Sequence, residues 1–228
     1  MKKIYPLITI LFFIAITACT AVVTPNLTST NTVVVPTQIA ATTESPFKEY
    51  NNSKFGVTFQ FPKDWYGPEE YVDGQTLRVE IGSDVVYPYG TDPAEQSSTR
   101  TNTYTIIVQY MHGDNAAAWT DTYQAVEKLA DGESVSGTRS KLIRVGEHSF
   151  GKFHGIEFIS TLSETAATEP TYIREVIFFD DASNVLSVMG TPNRVDIPEG
   201  TPWQDIYKQI DSENVTVFDD LINSLAVQ

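Results

Sequence analysis

Cysteine is almost absent from this 228-residue chain, and Cys19 is the only one. A single cysteine cannot form an internal disulfide, so the fold cannot depend on one. Because no second thiol can pair with it, Cys19 has to be explained by the residues around it.

Basic side chains are also scarce. The chain has 15 Lys and Arg against 29 Asp and Glu, which gives a formal net charge of -14 at pH 7. Phosphate backbones and anionic lipid headgroups repel such a chain. We therefore exclude nucleic acid as a partner, and we expect any membrane attachment to come from something other than a basic patch.

Catalytic motifs are missing as well. The sequence has no Gly-x-Ser-x-Gly nucleophile elbow and no glycine-rich loop of the kind that cradles phosphate. Because nothing nominates a nucleophile or a cofactor site, we expect no catalytic residues, no cofactor and no enzymatic activity.

The first residues are typical of a secretory signal peptide. Lys2 and Lys3 are followed by an apolar run from Ile4 to Ile16, which is shorter than the roughly 20 residues of a membrane-spanning helix. Ile16-Thr17-Ala18-Cys19 resembles the bacterial lipobox. This resemblance implies a lipoprotein signal peptide over residues 1–18, and a mature chain that begins at a lipid-modified Cys19 on an extracytoplasmic membrane face of the cell envelope. An uncleaved anchor and an ordinary signal peptide are the alternatives.

The segment 19–46 differs in composition from the rest of the chain. It consists mainly of Thr, Ser, Pro, Asn, Ala and Val, and Glu44 is its only charged residue. A segment without hydrophobic periodicity cannot form a core of its own, so we interpret it as a tether between the lipid and a folded domain.

Residues 47–228 predict one α+β domain. Val57, Phe59 and Phe61 alternate with polar residues and Pro62 ends the run, which indicates a half-buried strand. The chain contains about seven such strands. Because they are neighbours in sequence, we expect a mostly antiparallel sheet flanked by helices.

Helical spacing of apolar residues occurs in three places. It predicts a helix capped by Asp114 or Asn115 that ends near Ala130, and two short C-terminal helices, Trp203 to Ile210 and Phe218 to Leu225. The glycine at position 146 and its neighbours predict a hairpin turn near Gly146-Glu147-His148.

Four sequence blocks resemble the PsbP-like (Mog1/PsbP) domain. They are GVTFQFPKDW, IRVGEHSFGKFHGIEF, REVIFFDDASNVLSVMGTP and FDDLINSLAV. The resemblance implies an α-β-α sandwich around an antiparallel sheet, and members of that family serve as binding and assembly factors. The segment from Ser83 to Asn102 departs from the compact family pattern, and we interpret it as a long surface loop in which function can reside.

Candidate binding residues fall into two groups. One group is a set of aromatic side chains in loop regions: Trp65, Tyr66, Tyr71, Tyr87 and Tyr89. Such side chains can stack on a sugar or bind a protein partner, and the alternative is that they only cover the core. The other is the histidine pair His148 and His154, which with Glu147 and Glu157 nearby could form a zinc or copper site if a turn does not separate them. Asp180 to Asn184 offers oxygen ligands for calcium, but it is more typical of a hairpin turn.

The sequence therefore predicts a lipid-anchored, extracytoplasmic, non-catalytic binding or assembly module. Its expected partners are the membrane, through lipidated Cys19, and a protein. The alternative is a metal-binding or metal-delivery lipoprotein that uses His148 and His154.

Overall fold

The computed structural model describes residues 44–98, 100–113, 117–137, 140–162 and 170–228. The predicted signal peptide, Cys19 and most of the predicted tether lie outside the described residues. Within them, no helix is both long enough and apolar enough to cross a membrane.

The described residues form eleven strands and two helices of four residues or more. The strands are β1 Phe47–Asn52, β2 Val57–Pro62, β3 Tyr66–Asp73, β4 Thr76–Gly82, β5 Thr103–Met111, β6 Ser134–Ser136, β7 Ser140–Phe150, β8 Phe153–Leu162, β9 Tyr172–Phe179, β10 Val185–Asn193 and β11 Ala226–Val227. The helices are α1 Ala117–Glu127 and α2 Trp203–Ser224, and a single 3-10 turn occupies Pro93–Glu95.

The strands belong to two antiparallel sheets. One has eight strands in the order β3-β4-β5-β10-β9-β8-β7-β6, and the other has three in the order β1-β2-β11. The fold is therefore α+β, as the sequence predicted. The expected count of about seven strands is too low, because β1, β3, β6 and β11 are short or largely exposed and lack a strong apolar alternation.

The main core lies on one face of the eight-stranded sheet. Alternate residues of β4, β5, β9 and β10 meet α2 and the apolar face of β2 there. Val57, Phe59 and Phe61 are buried as predicted, but their strand belongs to the small sheet rather than the large one. The helix and the small sheet thus cover the larger of the two hydrophobic clusters and shield it from water.

A second core lies on the opposite face of the large sheet. Val126 of α1 packs with Ile156, Phe158, Ile177 and Val185 of the sheet. Trp119 and Tyr123 of the same helix pack against this cluster. The helix ends at Glu127 rather than near Ala130, and the proposed caps Asp114 and Asn115 lie outside the described residues.

The predicted turn near Gly146-Glu147-His148 is wrong. β7 runs through these residues as a strand, and the register shift between Arg144 and Gly146 marks a bulge. The chain reverses instead at Gly151, whose φ of +52° suits a residue without a Cβ. Gly146 thus serves to bend a strand rather than to end it.

The two predicted C-terminal helices are one helix. α2 continues from Trp203 to Ser224, and its buried residues Ile210, Phe218, Leu221 and Ile222 keep one helical face throughout. The β-branched stretch Val215-Thr216-Val217 has low intrinsic helix propensity, but packing of that continuous face against β2, β5, β9 and β10 overrides it.

Candidate functional site

The structure separates the aromatic candidates from one another. Trp65 is 8% exposed and belongs to the main core, so it covers the core and is not part of a binding surface. Tyr66 is 42%, Tyr71 39% and Tyr89 61% exposed. Tyr87 is half-buried, and its hydroxyl donates to the Ser97 carbonyl at 2.8 Å within the long loop.

Tyr71 reaches the surface on the hairpin formed by β3 and β4. In this hairpin Tyr71 is directly opposite Arg78, and Asp73 is opposite Thr76. Gly74 lies in the turn at φ +57°, a conformation in which glycine avoids a steric penalty. Because opposite residues of an antiparallel pair share a face, Tyr71 and Arg78 project together.

Tyr89 of the long loop lies against this cross-strand pair. Its ring centroid is 4.6 Å from that of Tyr71, at an interplanar angle of 39°. The Arg78 guanidinium carbon is 5.2 Å from the Tyr89 centroid, which is within cation-π range. We call Tyr71, Arg78 and Tyr89 the tyrosine site.

Two cavities open beside the tyrosine site, and Tyr89 borders both. The first, of about 240 Å³, is lined by Tyr71, Asp73, Thr76, Arg78, Tyr89 and Gln109. The second, of about 130 Å³, lies between the long loop and the ends of β5 and β10, where it includes Tyr87, Thr105 and Arg194. The arrangement joins exposed aromatic rings to polar side chains, which is a common composition for binding surfaces.

A partly buried ion pair fixes the long loop that carries Tyr89. The Arg194 Nη1 atom lies 2.8 Å from Asp84 Oδ2, and the Ser98 hydroxyl donates to the same carboxylate. Burial alone would raise the pKa of Asp84, but the hydrogen bonds from Ser98 and the Val85 amide, with the charge of Arg194, hold that pKa below its ordinary value. The loop is thereby attached to the residue that follows β10.

The two candidate metal ligands do not come together. His148 is opposite Gly155 in the β7-β8 pair, whereas His154 is opposite Ser149. Adjacent pairs point to opposite faces of a sheet, so the two imidazoles lie on different sides. Within the part of the chain that the structure describes, no group of three His, Cys, Asp or Glu side chains is arranged to hold a metal ion.

The Asp180 turn also has its oxygens engaged. The Asp180 carboxylate accepts hydrogen bonds from the backbone N–H groups of Ala182 and Asn184 and lies 2.9 Å from Lys152 Nζ. These contacts close the β9-β10 hairpin, which agrees with the interpretation of this segment as a turn.

His148 belongs instead to a buried ion network between the large sheet and α2. Its Nε2 atom lies 2.7 Å from Glu157 Oε2, and the other Glu157 oxygen contacts Arg174. Arg174 also binds Asp211 of α2, with 2.7 Å between Nη2 and Oδ2, and the Tyr104 hydroxyl donates to Asp211 at 2.8 Å. We call these five residues the buried network.

Protonation within the buried network follows from this pairing. Burial would raise the pKa of Glu157, but the His148 hydrogen bond and the Arg174 charge hold it below its ordinary value. Burial and the Asp211 charge raise the pKa of Tyr104. Each charged group has its partner inside the network, which is the pattern of a structural connection between layers.

Sequence reasoning missed the buried network. Its residues come from β5, β7, β8, β9 and α2, and no local spacing links them. The one available signal was the occurrence of Arg174 and Glu157 among apolar residues of their strands, because buried charges require partners.

Comparisons with known proteins give little further guidance. No protein-family model matches the chain, and no curated protein matches it. Among solved structures, the chain is similar to a 1.50 Å crystal structure from Bacteroides thetaiotaomicron VPI-5482. The match covers 81% of this chain and 49% of that one, with 13% sequence identity and a TM-score of 0.31. The chain thus spans about half the length of that protein, and the TM-score is too low to inform fold or function.

Proposed function

We propose that this chain is a lipid-anchored, extracytoplasmic binding or assembly module without catalytic activity. Cys19 is its proposed lipidation site, residues 19–46 its tether, and the tyrosine site its contact surface. The observation that carries the proposal is Tyr89, which is 61% exposed and is held over Tyr71 and Arg78 beside two open cavities. Rigid, exposed aromatic side chains provide large contact area at low cost in conformational entropy.

The proposed architecture of the domain is the PsbP-like sandwich. What supports it is the layering of α1 on one face of the large sheet and α2 on the other. The three-stranded sheet beside α2 is an addition to the simplest version of that sandwich.

Crosslinking in intact cells that produce the chain tests the proposal. The full-length protein is purified after crosslinking from four strains: wild type, Cys19→Ala, Tyr89→Ala and Tyr66→Ala. Tyr66 is the matched control, since it is an exposed tyrosine of β3 that does not line either cavity.

We expect the same crosslinked partner from wild type and Tyr66→Ala, and its loss from both Cys19→Ala and Tyr89→Ala. Equal recovery from Tyr89→Ala would remove the tyrosine site from the proposal. Turnover of a substrate by the purified full-length protein would overturn the non-catalytic assignment.

A further inference from the structure

The cavity beside Tyr71 and Tyr89 has a composition that restricts its ligand. Two of its six lining residues are aromatic, and the other four are Asp73, Thr76, Arg78 and Gln109. We propose that this cavity binds a neutral saccharide. This inference rests on the proposed function, because it assigns a ligand class to the same tyrosine site.

The aromatic part of the site matches the faces of a sugar ring. Tyr89 contacts Tyr71 and Arg78, yet 61% of its surface is exposed, so a ligand can still pack against it. The C–H groups on one face of a pyranose are apolar and fit against an aromatic ring, as other apolar groups do.

The polar part of the site matches the hydroxyl edge of a sugar. Gln109 donates one amide N–H to the Met111 sulfur, 3.7 Å away, and a thioether is only a weak acceptor. The Gln109 carboxamide can therefore still form hydrogen bonds with a ligand. Asp73 is exposed at the rim and accepts hydrogen bonds, while Thr76 both donates and accepts. Adjacent hydroxyls of a saccharide can satisfy donors and acceptors of this kind together.

Charge argues against anionic ligands. Arg78 is the one cation of the lining, and its Nη2 atom already lies 3.2 Å from Glu80 Oε2. Asp73 adds a further negative charge at the rim, and the whole chain carries -14. A phosphate, sulfate or uronic acid group would therefore find little net attraction here.

The size of the cavity indicates how much of the ligand it takes. Its volume of about 240 Å³ lies below the ~300–1,000 Å³ of pockets that enclose drug-sized molecules. It therefore holds a single sugar residue, which can be one unit of a longer oligosaccharide.

The test is a glycan array that carries neutral, sulfated and uronic-acid oligosaccharides. The probe is full-length protein in a detergent without a sugar headgroup, and the best neutral glycan is then titrated by calorimetry. Aromatic contacts of this kind correspond to about three- to tenfold in affinity, so we expect Tyr89→Ala to weaken binding by that factor. Tyr89→Phe, which keeps the ring, and Tyr66→Ala should retain the affinity, and unchanged unfolding midpoints show that each variant is folded.

The outcomes separate the two proposals. A preference for neutral glycans, together with weaker binding by Tyr89→Ala, supports the saccharide assignment. A preference for charged glycans, or binding by Tyr89→Ala equal to that of wild type, overturns it. If the array shows no binding but the crosslinked partner in cells still depends on Tyr89, the saccharide assignment fails and the binding module stands with a protein partner. If neither assay depends on Tyr89, the saccharide assignment fails and the tyrosine site is removed from the proposed function.

Discussion

Replacing Asp211 by asparagine tests whether the buried network holds α2 on the large sheet. The side chain is 1% exposed, and its carboxylate accepts hydrogen bonds from the Tyr104 hydroxyl and from Arg174. Asp211→Asn keeps the shape of the side chain and removes its charge. Arg174 is then left with Glu157 as its carboxylate partner.

The expected cost follows from burial. Removing one partner of a buried ion pair costs about 3–5 kcal/mol, because the remaining charge is desolvated without compensation. Since Glu157 still faces Arg174, we expect the lower end, about 3 kcal/mol. In a domain of this size each kcal/mol lowers Tm by about 2–4 °C, so the shift should be roughly 6–12 °C.

Urea unfolding of the full-length protein, followed by tryptophan fluorescence, measures this cost. The matched control is Asp220→Asn, an exposed position of the same helix, for which we expect less than about 0.5 kcal/mol. A double-mutant cycle with Arg174→Met isolates the pair, and coupling of about 2 kcal/mol is expected for groups in direct contact. A cost below about 1 kcal/mol, or additivity within about 0.5 kcal/mol, would show that the network does not fasten the helix.

Two further changes probe the packing on each face of the large sheet. Burial raises the pKa of Glu175 despite hydrogen bonds from Ser187 and Trp119. Above pH 4.5, the ordinary pKa of glutamate, the folded state therefore retains a proton that the unfolded state has lost. The stability of the fold consequently falls as the pH rises above this value. Glu175→Gln cannot ionise, and its stability relative to wild type should increase from pH 4 to pH 8 in urea titrations; a constant difference would contradict the assignment. Gly155→Ala places a Cβ 2.3 Å from the Phe178 ring and should cost about 1–3 kcal/mol of stability in the same urea titration. Gly146→Ala is its control, because a Cβ there would meet no atom within 4 Å. Equal costs for the two variants would refute the overpacking argument.

The elements that the sequence predicted well are those with one buried face. β2 buries alternate apolar residues and α1 buries helically spaced ones, and such periodicity is a local signal. β3 gave no such signal. It begins with Tyr66-Gly67-Pro68, its residues are mainly exposed, and it is ordered by pairing with β4 rather than by an apolar face of its own.

The candidate site was predictable only in part. The sequence identified Tyr71 and Tyr89 as aromatic residues in polar surroundings, but their contact joins a strand to a loop, and no spacing rule relates positions 71 and 89. Trp65 carried the same signal and is buried. Whether an aromatic residue near a loop is exposed depends on which layer covers it, and that is a property of the tertiary structure.

The positions of the two sites within the large sheet separate stability from ligand contact. β3, which carries Tyr71, is at one edge of the sheet, whereas Arg174 and Glu157 of the buried network lie on β9 and β8, toward the other edge. β3 is a poor template for another strand because it contains Pro68 and the acidic residues Glu69 and Glu70. We therefore expect a partner to contact the side chains of β3 rather than its backbone. Substitutions at Asp211 should therefore lower the stability of the fold without changing the affinity of the tyrosine site while the protein remains folded, because distant sites without shared partners act independently.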